Sequence, residues 1–255
     1  MVIPARYGST RFPGKPLIDL NGKPMVVRVA ERASVSSAEQ VLVATDDARI
    51  AAACEAWGVA CAMTRSDHLT GTDRLSEVAT ELNLPDDAVV VNVQGDEPLI
   101  PATVIDRVAA VLEANPKASI ATLCHPIHDV ADIANPNVVK CVVGEMGEAL
   151  YFSRAPIPYA RDAWRNGIEF VPEAMPIYRH IGLYAYRAGF LRGFPQLSVP
   201  AIERYEALEQ LRALAHGFRI AVGVVADALP PGIDTPLDYQ RLKASYSASG
   251  DTFKM

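Results

Sequence analysis

The chain has 255 residues, half of them apolar and 21% charged, and a formal net charge of −6. That length can bury a large core as one α/β domain, or as one domain carrying a lobe. The acidic balance argues against nucleic acid or an anionic membrane as partner, and no apolar run approaches the ~18 residues that a bilayer crossing needs.

Short β-branched runs alternate with segments of helical period, which predicts parallel strands joined by helical crossovers. Val2 and Ile3 close a first strand, "NGKP" is a turn, and Pro24 suits the first position of a helix through "MVVRVAERA". "QVLVAT" (40–45) reads as a buried strand, and "DDARIAAACEAWG" as a helix with an acidic start and Gly58 at its stop. "VACAMT" is a short strand, "TGTDRLSEVATEL" a loop and helix, "AVVVNVQ" (88–94) the central strand, "PATVIDRVAAVLEANP" a helix and "ASIATLC" a strand. "NVVKCVVGEMGEALYFS" gives a hairpin signal, "PIPYARDAWRNG" is irregular, and "RHIGLYAYR" is an aromatic-rich strand. We therefore expect one domain over 1–248 with an antiparallel extension at 125–200. Its last elements are one helix, "AIERYEALEQLRALAHG", a strand, "RIAVGVV", and a helix, "TPLDYQRLKASYS", before a disordered tail at 249–255.

Cys54, Cys61, Cys124 and Cys141 form no C-x-x-C pair, and an Arg interrupts the start "MVIPAR" before any apolar leader region. Both features predict a cytoplasmic protein with free thiols.

Residues 1–28 carry five cations against Asp19 alone, a net of +4 in an acidic chain, which points to a small anionic ligand or a solvated basic face. The stretch "PARYGSTRFPGKP" (4–16) has the makings of a phosphate cradle but not of a P-loop: five residues separate Gly8 from Gly14, and Pro16 follows Lys15 where a hydroxyl residue belongs. Two further loops, "QGDEP" (94–98) and "PPGIDTP" (230–236), follow strands. They bring Asp96 and Asp234 to the edge where open α/β sheets bind ligands. A basic loop with two separated acids suits Mg2+-assisted phosphoryl or nucleotidyl chemistry, whereas helix capping is the plain alternative for each aspartate. Glu97 reads as structural, "TDD" (45–47) as a helix start, and His125 and His128 lack a third metal ligand. No G-x-G-x-x-G follows the first strand, which argues against a nicotinamide-dependent dehydrogenase.

"IPARYGSTRFPGKPL", "TDD", "TGTDRL", "VVNVQGDEPLI", "LYFSRAPIP", "RHIGLYAYR", "LEQLR" and "GIDTPLDYQRL" occur together and in order, and over nearly the whole chain they resemble the CMP-Kdo synthetase (3-deoxy-manno-octulosonate cytidylyltransferase) family. The resemblance implies a mostly parallel nucleotidyltransferase α/β sheet flanked by helices, with a smaller antiparallel dimerisation lobe, working as a homodimer. It implies joining of CTP and Kdo into CMP-Kdo with release of pyrophosphate, for lipopolysaccharide assembly. It places the CTP phosphates among Arg6, Gly8, Ser9, Arg11 and Lys15, the base near Ala5 with Arg74 facing the nucleotide, and Mg2+ on Asp96 and Asp234. Catalysis then falls to Lys15, Arg6, Arg11, Asp96 and Asp234, and sugar recognition to Gln94, Arg154, His180, Tyr184, Glu209 and Gln210. An 8-amino analogue of Kdo stays open as substrate. A sialic acid is disfavoured, because sialate-activating relatives read K-R-x-P-x-K-N where this chain has "TRFPGKP". A non-catalytic nucleotide-binding module is disfavoured by the presence of Lys15, Asp96 and Asp234.

Overall fold

The computed structural model describes residues 1–8, 12–226 and 228–249. Strand β1 (Val2–Ala5) leads to a 3-10 turn (Lys15–Leu17), a minimal ribbon of β2 (Asp19–Leu20) and β3 (Lys23–Pro24), and helix α1 (Met25–Ala33). Strand β4 (Leu42–Thr45), α2 (Ala48–Ala56), β5 (Cys61–Met63) and α3 (Gly71–Glu81) follow, then β6 (Val89–Asn92) and α4 (Ala102–Glu113). Next come β7 (Ile120–Pro126), α5 (Val130–Ala134), β8 (Lys140–Val143), β9 (Ala149–Ser153), β10 (Tyr178–Arg187) and α6 (Ala188–Gly193). The chain continues as α7 (Ala201–Glu206), α8 (Gln210–Ala215), β11 (Ile220–Val224) and α9 (Pro236–Ser249). Beyond Ser249, the expected tail lies outside the described residues, as do Ser9 and Arg11 of the basic loop.

The chain forms two compact units. The first comprises Met1–Leu82, Asn92–Asp106 and the chain from Pro230; the second comprises Asn83–Val91 and Arg107–Leu229. In the first unit β1 runs parallel to β4 from Val2↔Leu42 to Ala5↔Thr45. β4 runs parallel to β5, and Val2 pairs in parallel with Asn92 at the end of β6. All four residues of β4 are buried, as a parallel strand covered on both faces requires, and this explains its unbroken apolar run. Helix α1 buries Met25, Val26, Val27, Val29, Ala30 and Ala33, the stripe a core-facing helix presents. Because these strands are parallel, the loops that follow β1, β4, β5 and β6 all emerge at one edge.

In the second unit β11 runs parallel to β7, while β10 is antiparallel to β7 and to β8, and β8 is antiparallel to β9. The sheet is therefore mixed here, and the β8–β9 pair lies where the hairpin signal falls. The irregular stretch after β9 carries a core of its own: Trp164 is fully buried with Ile127, Ile133, Val138 and Ile177. Among the described residues, no helix is long and apolar enough to cross a membrane.

The helix expected across "AIERYEALEQLRALAHG" is in fact two. Ala207 takes a left-handed conformation (φ 51°) and ends α7, and α8 restarts at Gln210. The cause lies elsewhere in the chain. The Arg154 guanidinium donates to the carbonyls of Glu206 (2.6 Å) and Ala207 (3.3 Å), acceptors that a continuous helix would have used itself.

Candidate active site

The basic loop closes on itself through short-range hydrogen bonds. Gly14 N–H donates to Tyr7 O at 2.9 Å, Lys15 N–H to Phe12 O, and Leu17 N–H to Gly14 O. Gly14 has φ +72°, and a Cβ there would lie 3.2 Å from the Tyr7 hydroxyl, so the position needs glycine on both counts. The turn thus formed aims Lys15 inward. Its side chain is only 13% exposed, and Nζ lies 2.6 Å from Asp96 Oδ2 and 3.5 Å from Asp234 Oδ1.

The two carboxylates are brought together by their loops. Ile233 N–H donates to Asp96 O at 2.8 Å, which ties the loop after β6 to the loop before α9. Gly95 lets the first of these loops press onto the end of β1: a Cβ there would come within 3.0 Å of Pro4 O. Neither aspartate is placed as a helix cap. Thr235 and Asp238 cap α9 reciprocally, Thr235 Oγ1 accepting from Asp238 N–H and the Asp238 carboxylate accepting from Thr235 N–H. α4 begins only at Ala102, well past Asp96. Glu97, read from the sequence as structural, belongs to the same concentration of acid. Burial first, then the charges of Asp96 and Asp234, push its carboxyl up to about 7.

The remaining described cations of the edge are held beneath it. Arg6 donates to the carbonyls of Leu69 (3.2 Å) and Thr70 (2.9 Å), just before α3, where Thr70 and Asp73 form a capping box. Arg74, expected to face the nucleotide, is fully buried. It donates to Thr64 Oγ1 and meets Asp46 Oδ1 at 3.3 Å, while its Nε and Nη2 make no hydrogen bond. Desolvation lowers its pKa, and the adjacent Arg6 charge adds to that; Asp46 is the strongest opposing charge. Ala5 is buried at the end of β1, Gly8 is exposed, and Gln94 is half-buried with its carbonyl taken by Glu97 N–H.

In the second unit the expected sugar-binding residues fall into two groups. His180 and Tyr184 adjoin on β10, with ring centroids 5.3 Å apart, and Phe152 meets His180 edge-on at 5.0 Å. His180 Nε2 and Thr122 Oγ1 share a hydrogen bond of 2.9 Å, and burial pushes the imidazole pKa down to about 3, so the ring is neutral. Tyr184 is pushed well up, by burial first and then by Tyr186 and Glu209, which places Glu209 within electrostatic reach of this ring cluster. Gln210 is buried at the start of α8. Arg154 stands apart: it donates to the carbonyls of Pro136, Glu206 and Ala207, so in this structure its guanidinium braces the backbone.

The cytidylyltransferase family profile matches residues 1–220. The chain is also similar to CMP:2-keto-3-deoxy-manno-octonic acid synthetase, solved in complex with CTP, at 43% identity over 97% of both chains and a TM-score of 0.87. The chain belongs to the CMP-Kdo synthetase family of cytidylyltransferases. A cytidylyltransferase from Leptospira borgpetersenii serovar Hardjo-bovis shares the fold alone, with 17% identity, 97% of this chain and 85% of that one covered, and a TM-score of 0.60.

In this cytidylyltransferase the donor set fits a hard divalent cation. The carboxylate oxygens of Asp96 and Asp234 converge on a single positive centre, the Lys15 ammonium, and Mg2+ favours one or two carboxylates with phosphate oxygens and water. Among the described residues, no group of three or more His, Cys, Asp or Glu side chains is arranged to hold a metal. Sequence reading missed two acids of this edge, Glu97 and Asp46. The signal for Asp46 was the doubled aspartate of "TDD": Asp47 alone caps α2, accepting Arg49 N–H at 2.9 Å, which leaves Asp46 free to turn inward.

Proposed function

We propose that this cytidylyltransferase activates Kdo with CTP, giving CMP-Kdo and pyrophosphate for lipopolysaccharide assembly. The observation that carries the reading is the convergence of Lys15 with Asp96 and Asp234 at the edge where the strands of the first unit end. The relative with 43% identity, solved with CTP, supports the nucleotide and the sugar acid together.

The anomeric hydroxyl of Kdo attacks the α-phosphorus of CTP in line. A sugar O–P bond forms, the α–β phosphoanhydride bond breaks, pyrophosphate leaves with the bridging oxygen, and the hydroxyl proton passes to water. Lys15 supplies positive charge to the phosphates as charge builds on the leaving group. Arg6 supports it from the same loop, and Arg11 and Ser9 are proposed to complete the cradle with the backbone at Gly8. Asp96 and Asp234 would hold Mg2+, which, when bound, neutralises phosphate charge and acidifies the attacking hydroxyl. Ala5 and Arg74 would serve the base, while Gln94, Arg154, His180, Tyr184, Glu209 and Gln210 would contact the sugar acid. Neutral His180 offers one donor and one acceptor to hydroxyl groups. No side chain acts as a covalent nucleophile, so the rate rests on positioning and electrostatics.

We further propose a cytoplasmic homodimer. Ile202 and Tyr205, exposed and three apart on α7, and exposed Leu150 on β9 supply apolar surface for it. Size-exclusion chromatography with light scattering tests the dimer. Pyrophosphate release with CTP and a panel of acid sugars tests the substrate: Kdo should be turned over fastest. A faster rate with the 8-amino analogue or a sialic acid would displace Kdo.

A further inference from the structure

We infer that Cys54 and Cys61 form a modification site, a dithiol that hydrogen peroxide converts into a disulfide joining α2 to β5. The inference is independent of the CTP reading above.

A tight turn brings the two thiols together. Gly58 takes φ +66° just past α2, and Cys54 O accepts from Trp57 N–H (3.1 Å) and from Val59 N–H (2.9 Å), so the chain doubles back onto the helix it has left. β5 then starts at Cys61, which pairs with Val43 of β4. Cys54 lies on the core-facing side of α2, one turn after the buried Ile50, and has no exposed surface. Its thiol donates to Cys61 Sγ, and the Cys61 thiol donates in turn to Ala62 O at 3.9 Å.

The two sulfurs are not equivalent. Cys61 is half-buried and lines a cleft of about 540 Å3 with the small side chains of Ala48, Ala51 and Ala52, so a small oxidant reaches it while Cys54 stays covered. The hydrogen bond from Cys54 favours the Cys61 thiolate and lowers its pKa against the effect of burial; the same bond, and then burial, push Cys54 up. Cys124 and Cys141 are fully buried, and burial holds both thiols well up, Cys124 at about 12.

The Cys61 thiolate attacks the peroxide. An S–O bond forms, the O–O bond breaks, and the departing hydroxide takes up the proton that Cys61 released, leaving a sulfenic acid. The Cys54 sulfur then attacks the Cys61 sulfur. The S–S bond forms, the S–O bond breaks, and hydroxide leaves as water with the Cys54 proton. Two thiols lose two electrons, and the peroxide is reduced to two waters.

The test treats the folded protein with hydrogen peroxide near neutral pH, blocks the remaining thiols in denaturant and maps the peptides by mass spectrometry. Cys54 and Cys61 share the tryptic peptide 50–65, which should lose two hydrogens and regain them with dithiothreitol. This should run about tenfold or more faster than any oxidation of Cys124 or Cys141. Cys54→Ala should leave Cys61 as a sulfenic acid that dimedone labels, and Cys61→Ser should leave Cys54 a free thiol. The wild-type peptide map carries the test even where a variant does not fold. Four free thiols after treatment, oxidation of Cys124 or Cys141 at the same rate, or disulfides between chains would overturn the site.

Discussion

Lys15 Nζ lies 2.6 Å from Asp96 Oδ2 and 3.5 Å from Asp234 Oδ1, so one ammonium neutralises two carboxylates that arrive from loops 81 and 219 residues away. With Lys15 only 13% exposed and Asp96 26%, that pair is not the loosely held surface contact whose worth is near zero, whereas Asp234, 48% exposed, adds the weaker contact. The ammonium occupies the point at which the acids could hold a metal.

That arrangement gives Lys15→Ala two opposite effects. Turnover should fall by about a hundredfold or more, since charge aimed at a developing oxyanion is worth several kcal/mol. In the absence of nucleotide, however, Mn2+ should bind about tenfold more tightly, because its competitor for the carboxylates is gone. Electron paramagnetic resonance titration of free Mn2+ reads this directly. Unchanged Mn2+ affinity would mean that the metal binds elsewhere.

Asp96→Asn and Asp234→Asn should each be nearly inactive at moderate Mg2+ while melting within a few degrees of wild type. Asn preserves the shape but removes the charge that a hard cation needs. Thr235 and Asp238, not Asp234, cap α9, so the cap survives the substitution. The double variant should lose less than the two single losses combined, because both groups serve one phosphate. Active Asn variants, measured by pyrophosphate release, would remove the carboxylates from the chemistry.

Arg154→Ala should destabilise the protein as well as impair it. Truncation strips donors from the carbonyls of Pro136, Glu206 and Ala207, of which the Glu206 bond is part-buried and the other two are exposed, and each lost hydrogen bond of this kind costs about 0.5–1.5 kcal/mol. The melting temperature should drop by about 4 °C or more, at roughly 2–4 °C per kcal/mol for a chain of this size. An unchanged melt with a raised KM for Kdo would show that Arg154 serves only the sugar.

His180 gives stability a defined pH dependence. Its folded pKa is about 3, below the usual imidazole value of 6.5, so between these values the unfolded chain binds the extra proton. Its contribution to stability is therefore complete above pH 6.5 and is lost as pH falls towards 3. His180→Gln should melt with a shallower fall between pH 6.5 and 5 than wild type. Parallel curves would place a normal, exposed imidazole at this position.

The elements with clear periodicity were legible in the sequence, as were the loop-borne Lys15, Asp96 and Asp234. Strand β4 and helices α1, α2 and α3 carry their own patterns and caps, including Asp47 and the Thr70–Asp73 box. The features that local sequence does not carry are non-local. The break between α7 and α8 depends on Arg154, more than fifty residues earlier in the chain. The pairing of Asp46 with Arg74 depends on α3 folding back beside β4, and nothing in "TDD" says which aspartate caps and which turns in. Arg74 reads in the sequence as a ligand-facing cation, and only the packing shows that it is fully buried.

Phosphorus NMR of the products formed from CTP, Kdo and Mg2+ reads the proposed transfer itself. One phosphodiester resonance of CMP-Kdo should appear in step with pyrophosphate, much faster than any product from ATP or GTP. Release of pyrophosphate without a sugar phosphodiester, or equal rates with all nucleotides, would contradict it.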